Sequence, residues 1–198
     1  MKKISAKFIG IFFVVWGCAA ILKSIYVGKY EQILWACWIG FILLGIGILR
    51  KDAWFTTSQL NILAIPWLFW SGDFIYRVFS GKSLLGITDY VFAPIPAIDL
   101  IITLAHIIAL PIALIALYRL QLKRADAWKL SLVQLALLFV ITITFTTNTI
   151  DNKINCIYNP CIPSPINLPF PLAWIIGSLI IVFLTNAILV KLFHSKKP

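Results

Sequence analysis

AIDLIITLAHIIALPIALIALYRL, residues 97–120, decides how this chain must be solvated. A helix needs about 20 mostly apolar residues to cross a bilayer. This stretch supplies them, with Asp99, His106 and Arg119 as its only charged or imidazole side chains. Reading outward from it, five more segments qualify, at 8–27, 31–49, 54–79, 127–147 and 170–193. Connections at 28–30, 50–53 and 121–126 are short, which favours adjacent antiparallel helices. Two are longer, at 80–96 and 148–169. Pro66 and Pro111 fall inside spans, where neighbouring helices re-satisfy the freed backbone groups. The expected fold is an all-α bundle of six transmembrane helices in one domain, residues 1–198, with both termini cytoplasmic.

Composition demands the same solvent. Of 198 residues, 61% are hydrophobic and 12% charged, and mean hydropathy is +0.96. A soluble domain carries about 25% charged residues, so too little polar surface exists here to cover a water-soluble particle. The net charge of +10 would point a soluble protein toward nucleic acid. In a membrane chain it reports topology and contact with anionic headgroups, so lipids are the expected partners and nucleic acid is not. The basic start and apolar run of MKKISAKFIGIFFVVWGCAA resemble an export signal. Trp16 is a poor fit beside a cleavage position and the apolar run continues, so the stretch reads as a retained first helix.

Lysine and arginine choose the orientation. Lys2, Lys3, Lys7, Arg50, Lys51, Arg119, Lys123, Arg124, Lys129, Lys191, Lys196 and Lys197 gather at one end, against Lys23, Lys29, Arg77, Lys82 and Lys153 at the other. The richer end is expected in the cytoplasm, which turns both long connections outward.

The acidic residues lean the other way. Glu31, Asp73, Asp89, Asp99 and Asp151 fall toward the outer side. In FWSGDFIYRVFSG, residues 69–81, Asp73 and Arg77 are one helical turn apart and can pair. Asp73 is expected about 9 Å from its helix end, and His106 about 13 Å below the start of its own. Residues 81–96 are too apolar for a solvated loop and too rich in Gly and Pro for one helix, so a re-entrant or interfacial segment is expected. It would present Asp89 near Asp73. Asp99 and His106 share a helix face, and Asn148, Asp151, Asn152 and Asn155 follow the fifth span.

Membrane-embedded ionisable groups usually face the bundle interior, a wet cavity or a proton path. Asp73, Arg77, Asp89, Asp99, His106, Asp151 and Asn155 are therefore the expected lining of an outward-facing cavity for a small polar ligand or lipid headgroup. One rival is an enzyme acting on a lipid-borne substrate, with His106 as base and Asp73 or Asp89 as its partner. Another is a helper subunit packing through Gly40, Gly45 and Gly47. No His-Glu-x-x-His, Gly-x-Ser-x-Gly or phosphate loop occurs. With His106 near mid-membrane and His194 at the cytoplasmic end, neither a metal nor any other cofactor is expected. Cys156 and Cys161, in NCIYNPCIPSP, are expected to form a disulfide if their side faces an oxidising compartment.

The order GDFIYR, GITDYVF, a histidine in the next span, then NKINCIY resembles small multi-pass bacterial membrane proteins of uncharacterised function over about residues 72–160. The resemblance implies a six-helix membrane protein and supplies no reaction; the expected location is the bacterial inner membrane.

Overall fold

The structure is a computed structural model, and it describes residues 6–146, 154–158 and 171–194. Six α-helices follow one another: α1 Ala6–Tyr26, α2 Ala36–Leu49, α3 Ala53–Ser80, α4 Ala97–Leu120, α5 Trp128–Phe145 and α6 Leu172–Phe193. Short 3-10 turns lie at Tyr30–Leu34, Asp89–Phe92 and Ile154–Cys156. All but α2 are long and apolar enough to cross a membrane. Among the described residues no strand forms beyond an isolated bridge, Leu122 to His194, which places the last turns of α4 and α6 at one end. That end carries Arg50, Lys51, Arg119, Lys123, Arg124, Lys129 and Lys191, and is called the basic end below.

The second expected span is where the structure differs most. Its first residues form the 3-10 turn Tyr30–Leu34, and α2 proper is only 14 residues. At 1.5 Å per residue that is about 21 Å, against a hydrocarbon core of about 30 Å.

α3 is the central helix, touching α2, α4, α5 and α6. Asp52 starts it by accepting the Phe55 N–H at 2.9 Å, and Gly81 ends it at φ 71°, a left-handed turn that suits glycine. α1 and α2 pack backbone to backbone. A Cβ on Gly45 would lie 2.6 Å from the Gly10 carbonyl oxygen, and one on Gly17 2.7 Å from that of Trp38. The other two glycines of α2 face α3, with Gly40 against Leu63 and Gly47 against Phe55 and Thr56. The glycines read as a surface for a partner are thus filled from within the chain.

Phe13, Phe41, Leu44, Leu60, Trp67, Ala109, Ala113 and Leu117 form the core. Small residues at 105, 109, 113 and 116 give α4 a shallow face that seats against it. The periphery is apolar as well. Phe8, Val15 and Leu22 of α1 are exposed, as are Val133, Leu137 and Val140 of α5 and Ile180, Leu184 and Ile188 of α6. Meanwhile Thr56, Thr57, Ser58, Gln59 and Asn61 are buried. Polar groups inside an apolar exterior make this a multi-pass membrane protein, since lipid is the solvent that favours it.

Candidate functional site

The end opposite the basic one holds most of the residues expected to form a site. Asp73 points from α3 into the 81–96 segment and is only 1% exposed. Its Oδ1 accepts the N–H groups of Leu84 and Leu85 at 2.9 and 2.6 Å. Its Oδ2 accepts the N–H and hydroxyl of Thr88 at 2.9 and 2.7 Å. One carboxylate thereby satisfies four donors of a segment that makes few backbone bonds of its own. Asp73 does not pair with Arg77. The helical spacing allowed that contact, but the loop delivers more donors to the same short side chain.

Arg77 instead pairs with Asp89 and lies 4.6 Å over the Phe92 ring. The 81–96 segment is accordingly an interfacial cap rather than a hairpin dipping into the bundle. Within it Thr88 and Val91 are buried, while Leu84, Tyr90 and Phe92 stay open. The Tyr90 ring is half open, yet its hydroxyl turns inward to accept Trp70 Nε1–H at 3.2 Å. Burial raises the pKa of that phenol.

Asp99 faces α1 rather than a cavity. Lys23 Nζ stands 2.7 Å from its Oδ1, a charge contact whose angle is not that of a hydrogen bond. His106 sits in a box of rings, with centroids of Trp70, Trp38, Phe41 and Trp67 at 5.1, 5.4, 5.7 and 6.4 Å. Its Nδ1 lies 2.8 Å from the Thr103 carbonyl oxygen, which only accepts, so Nδ1 carries a proton. Among the described residues no carboxylate is bonded to it, so the acid/base pair of the enzyme reading is not assembled. From His106 the rings continue outward through Trp70, Phe74 and Phe92, at 5.1, 5.5 and 5.4 Å, and end at Arg77.

Asn155 has a separate task. Its Oδ1 accepts the Ala36 N–H at 2.7 Å, capping the start of α2. Its Nδ2 donates to the Leu34 carbonyl at 2.7 Å and to Thr142 Oγ1 at 3.0 Å, and its own carbonyl accepts Trp174 Nε1–H at 2.8 Å. Ile154 and Ile157 are buried beside it. Cys156 is disulfide-bonded, whereas Cys18 and Cys37 are free. Asp151 and Cys161 lie outside the described residues.

The expected lining residues are therefore divided among local tasks. Asp73 and Arg77–Asp89 belong to the cap, Asp99 to α1, His106 to the ring box and Asn155 to α2. Among the described residues no three of His, Cys, Asp and Glu come together as a metal ion would need.

A second polar region, near the basic end, went unread in the sequence. TTSQLN, residues 56–61, lies buried on α3. Asn61 Nδ2 reaches Ser131 Oγ and Asn186 Oδ1, both at 3.1 Å. Ser131 Oγ donates to the Ser58 carbonyl at 3.0 Å or to that of Ala127 at 3.1 Å, and Asn186 Nδ2 to the Ala125 carbonyl at 3.0 Å. The run of uncharged polar residues in an otherwise apolar span was the available signal, and attention to charge passed over it. Compared with known proteins, the chain matches no family model, no curated protein and no solved structure.

Proposed function

We propose that this is a bacterial inner-membrane protein whose 81–96 cap binds a lipid headgroup, or a small polar molecule, that carries both charges. The observation carrying this reading is the Arg77–Asp89 pair, whose side chains are 25% and 53% exposed at the rim. A guest phosphate would take Arg77 and a guest ammonium would take Asp89, exchanging one ion pair for two. Phe92 under the guanidinium and Asp73 under the cap hold the charges in place without engaging them fully. Lysine and arginine counts favour a cytoplasmic basic end, which sets the cap at the outer leaflet.

The test is lipid retention on the protein purified from nanodiscs, read by native mass spectrometry. Phosphatidylethanolamine should be retained over phosphatidylglycerol, and Asp89→Asn should remove the preference while the unfolding temperature stays within a few degrees. Equal retention of both lipids by the unaltered chain would overturn the reading.

A further inference from the structure

Near the TTSQLN run, α3, α5 and α6 each carry a buried oxygen with no hydrogen-bond partner among the described residues. Asn61 spends its amide protons on Ser131 of α5 and Asn186 of α6, yet its Oδ1 is buried and accepts nothing from the protein. Two more oxygens share this condition on the flanking helices. Gln134 Oε1 is one turn along α5 from Ser131, and Thr185 Oγ1 is the neighbour of Asn186 on α6. Asn61 is 0% and Thr185 4% exposed. Bulk water is excluded from a site buried in lipid, so each unsatisfied group there is costly.

The chemistry of the three narrows the guest. Two are amide carbonyls that only accept, and the third is a hydroxyl that has a proton to give. We infer that the α3–α5–α6 junction binds one water molecule, which donates to Asn61 Oδ1 and Gln134 Oε1 and accepts from the Thr185 hydroxyl. Three polar partners match the usual number for a buried water. An alkali cation is the other guest that oxygens would hold. Among the described residues, the hydrogen-bonded partners at this junction are Ser, Asn and backbone groups, with no carboxylate to balance its charge. The water joins α5 and α6 to α3 through groups that the protein alone leaves unbonded.

Removing a truly unpaired buried oxygen is neutral or stabilising, whereas removing one that holds a water is not. Thr185→Val and Gln134→Met, each measured in nanodiscs, should lower the unfolding temperature by about 2–4 °C. Their combined effect should fall short of the sum, because both release the same molecule. A high-resolution map of the unaltered chain should show a peak within hydrogen-bond distance of Asn61 Oδ1 and Thr185 Oγ1. Unfolding temperatures should be the same in sodium, potassium and choline chloride. An unchanged or raised temperature in either variant, an empty map at Asn61, or stabilisation by one alkali ion alone would each overturn the inference.

Discussion

Asp73 holds much of the 81–96 cap by one side chain. Asparagine in its place would keep an oxygen for Leu84 and Leu85 but turn an amide group toward the Thr88 N–H, donor against donor. Asp73→Asn should cost about 3 kcal/mol, from lost charge-assisted bonds and a buried donor left unpaired. Thermal unfolding would report the loss, and hydrogen exchange should rise at Leu84, Leu85 and Thr88 before it rises elsewhere. His106 behaves differently because its environment is shape rather than charge. His106→Phe keeps the ring contacts and should cost about 1 kcal/mol, whereas His106→Ala opens a cavity and should cost about 3 kcal/mol. A large loss in the phenylalanine variant would show that the imidazole nitrogens matter beyond packing. At this scale the sequence identified which charges sit near the rim but not what each one touches. Helical spacing shows which side chains can meet on one helix, and it is blind to what a loop eleven or more residues on brings to them.

Among the elements, α2 and the α4–α5 turn lean most on groups from elsewhere. Asn155 holds a positive φ of 53° and satisfies both the first N–H of α2 and the Leu34 carbonyl. Asn155→Ala loses those bonds and the preference of asparagine for that backbone region. About 2–4 kcal/mol of destabilisation is expected, seen first as faster exchange at residues 34–38. Across the α4–α5 turn, Asp126 accepts two bonds from Arg124 and one from Trp54. The Arg124 bonds, first among the causes, hold its carboxyl below the ordinary carboxylate range. A depressed pKa means stability that is present above the unfolded value, about 4, and lost as pH falls through the lower folded one. Unfolding temperature measured against pH should lose part of its acid-side decline in Asp126→Asn. The helix positions were readable because lipid imposes a length and a composition on each span. The short α2 was not, since apolar content alone does not reveal where a helix gives way to a 3-10 turn.

For the molecule as a whole, the apolar exterior and polar interior follow from one solvent condition, and composition made that legible at once. The orientation rests on the basic end. A reporter enzyme active only after export should stay dark when fused after residue 194 and be active when fused within the 81–96 cap. The cavity expected from the outer charges was a reading of where they lie along the helices. Depth constrains how a charge is stabilised but leaves open whether its partner is a guest, a neighbouring helix or the backbone of a cap. The uncharged TTSQLN run is the complement of that case, because hydrogen bonding between helices leaves no mark on a charge count.

α2 stops about a third short of the hydrocarbon thickness, and the Ile154–Tyr158 chain closes over its start. The same short chain contains Cys156 in its disulfide. The cover over the start of α2 is thereby joined to thiol oxidation, a condition that insertion by itself does not meet. Cells lacking the thiol oxidase that closes this bridge should accumulate a form that is fully threaded yet cut by protease at residues 28–36, with the other helices already in place.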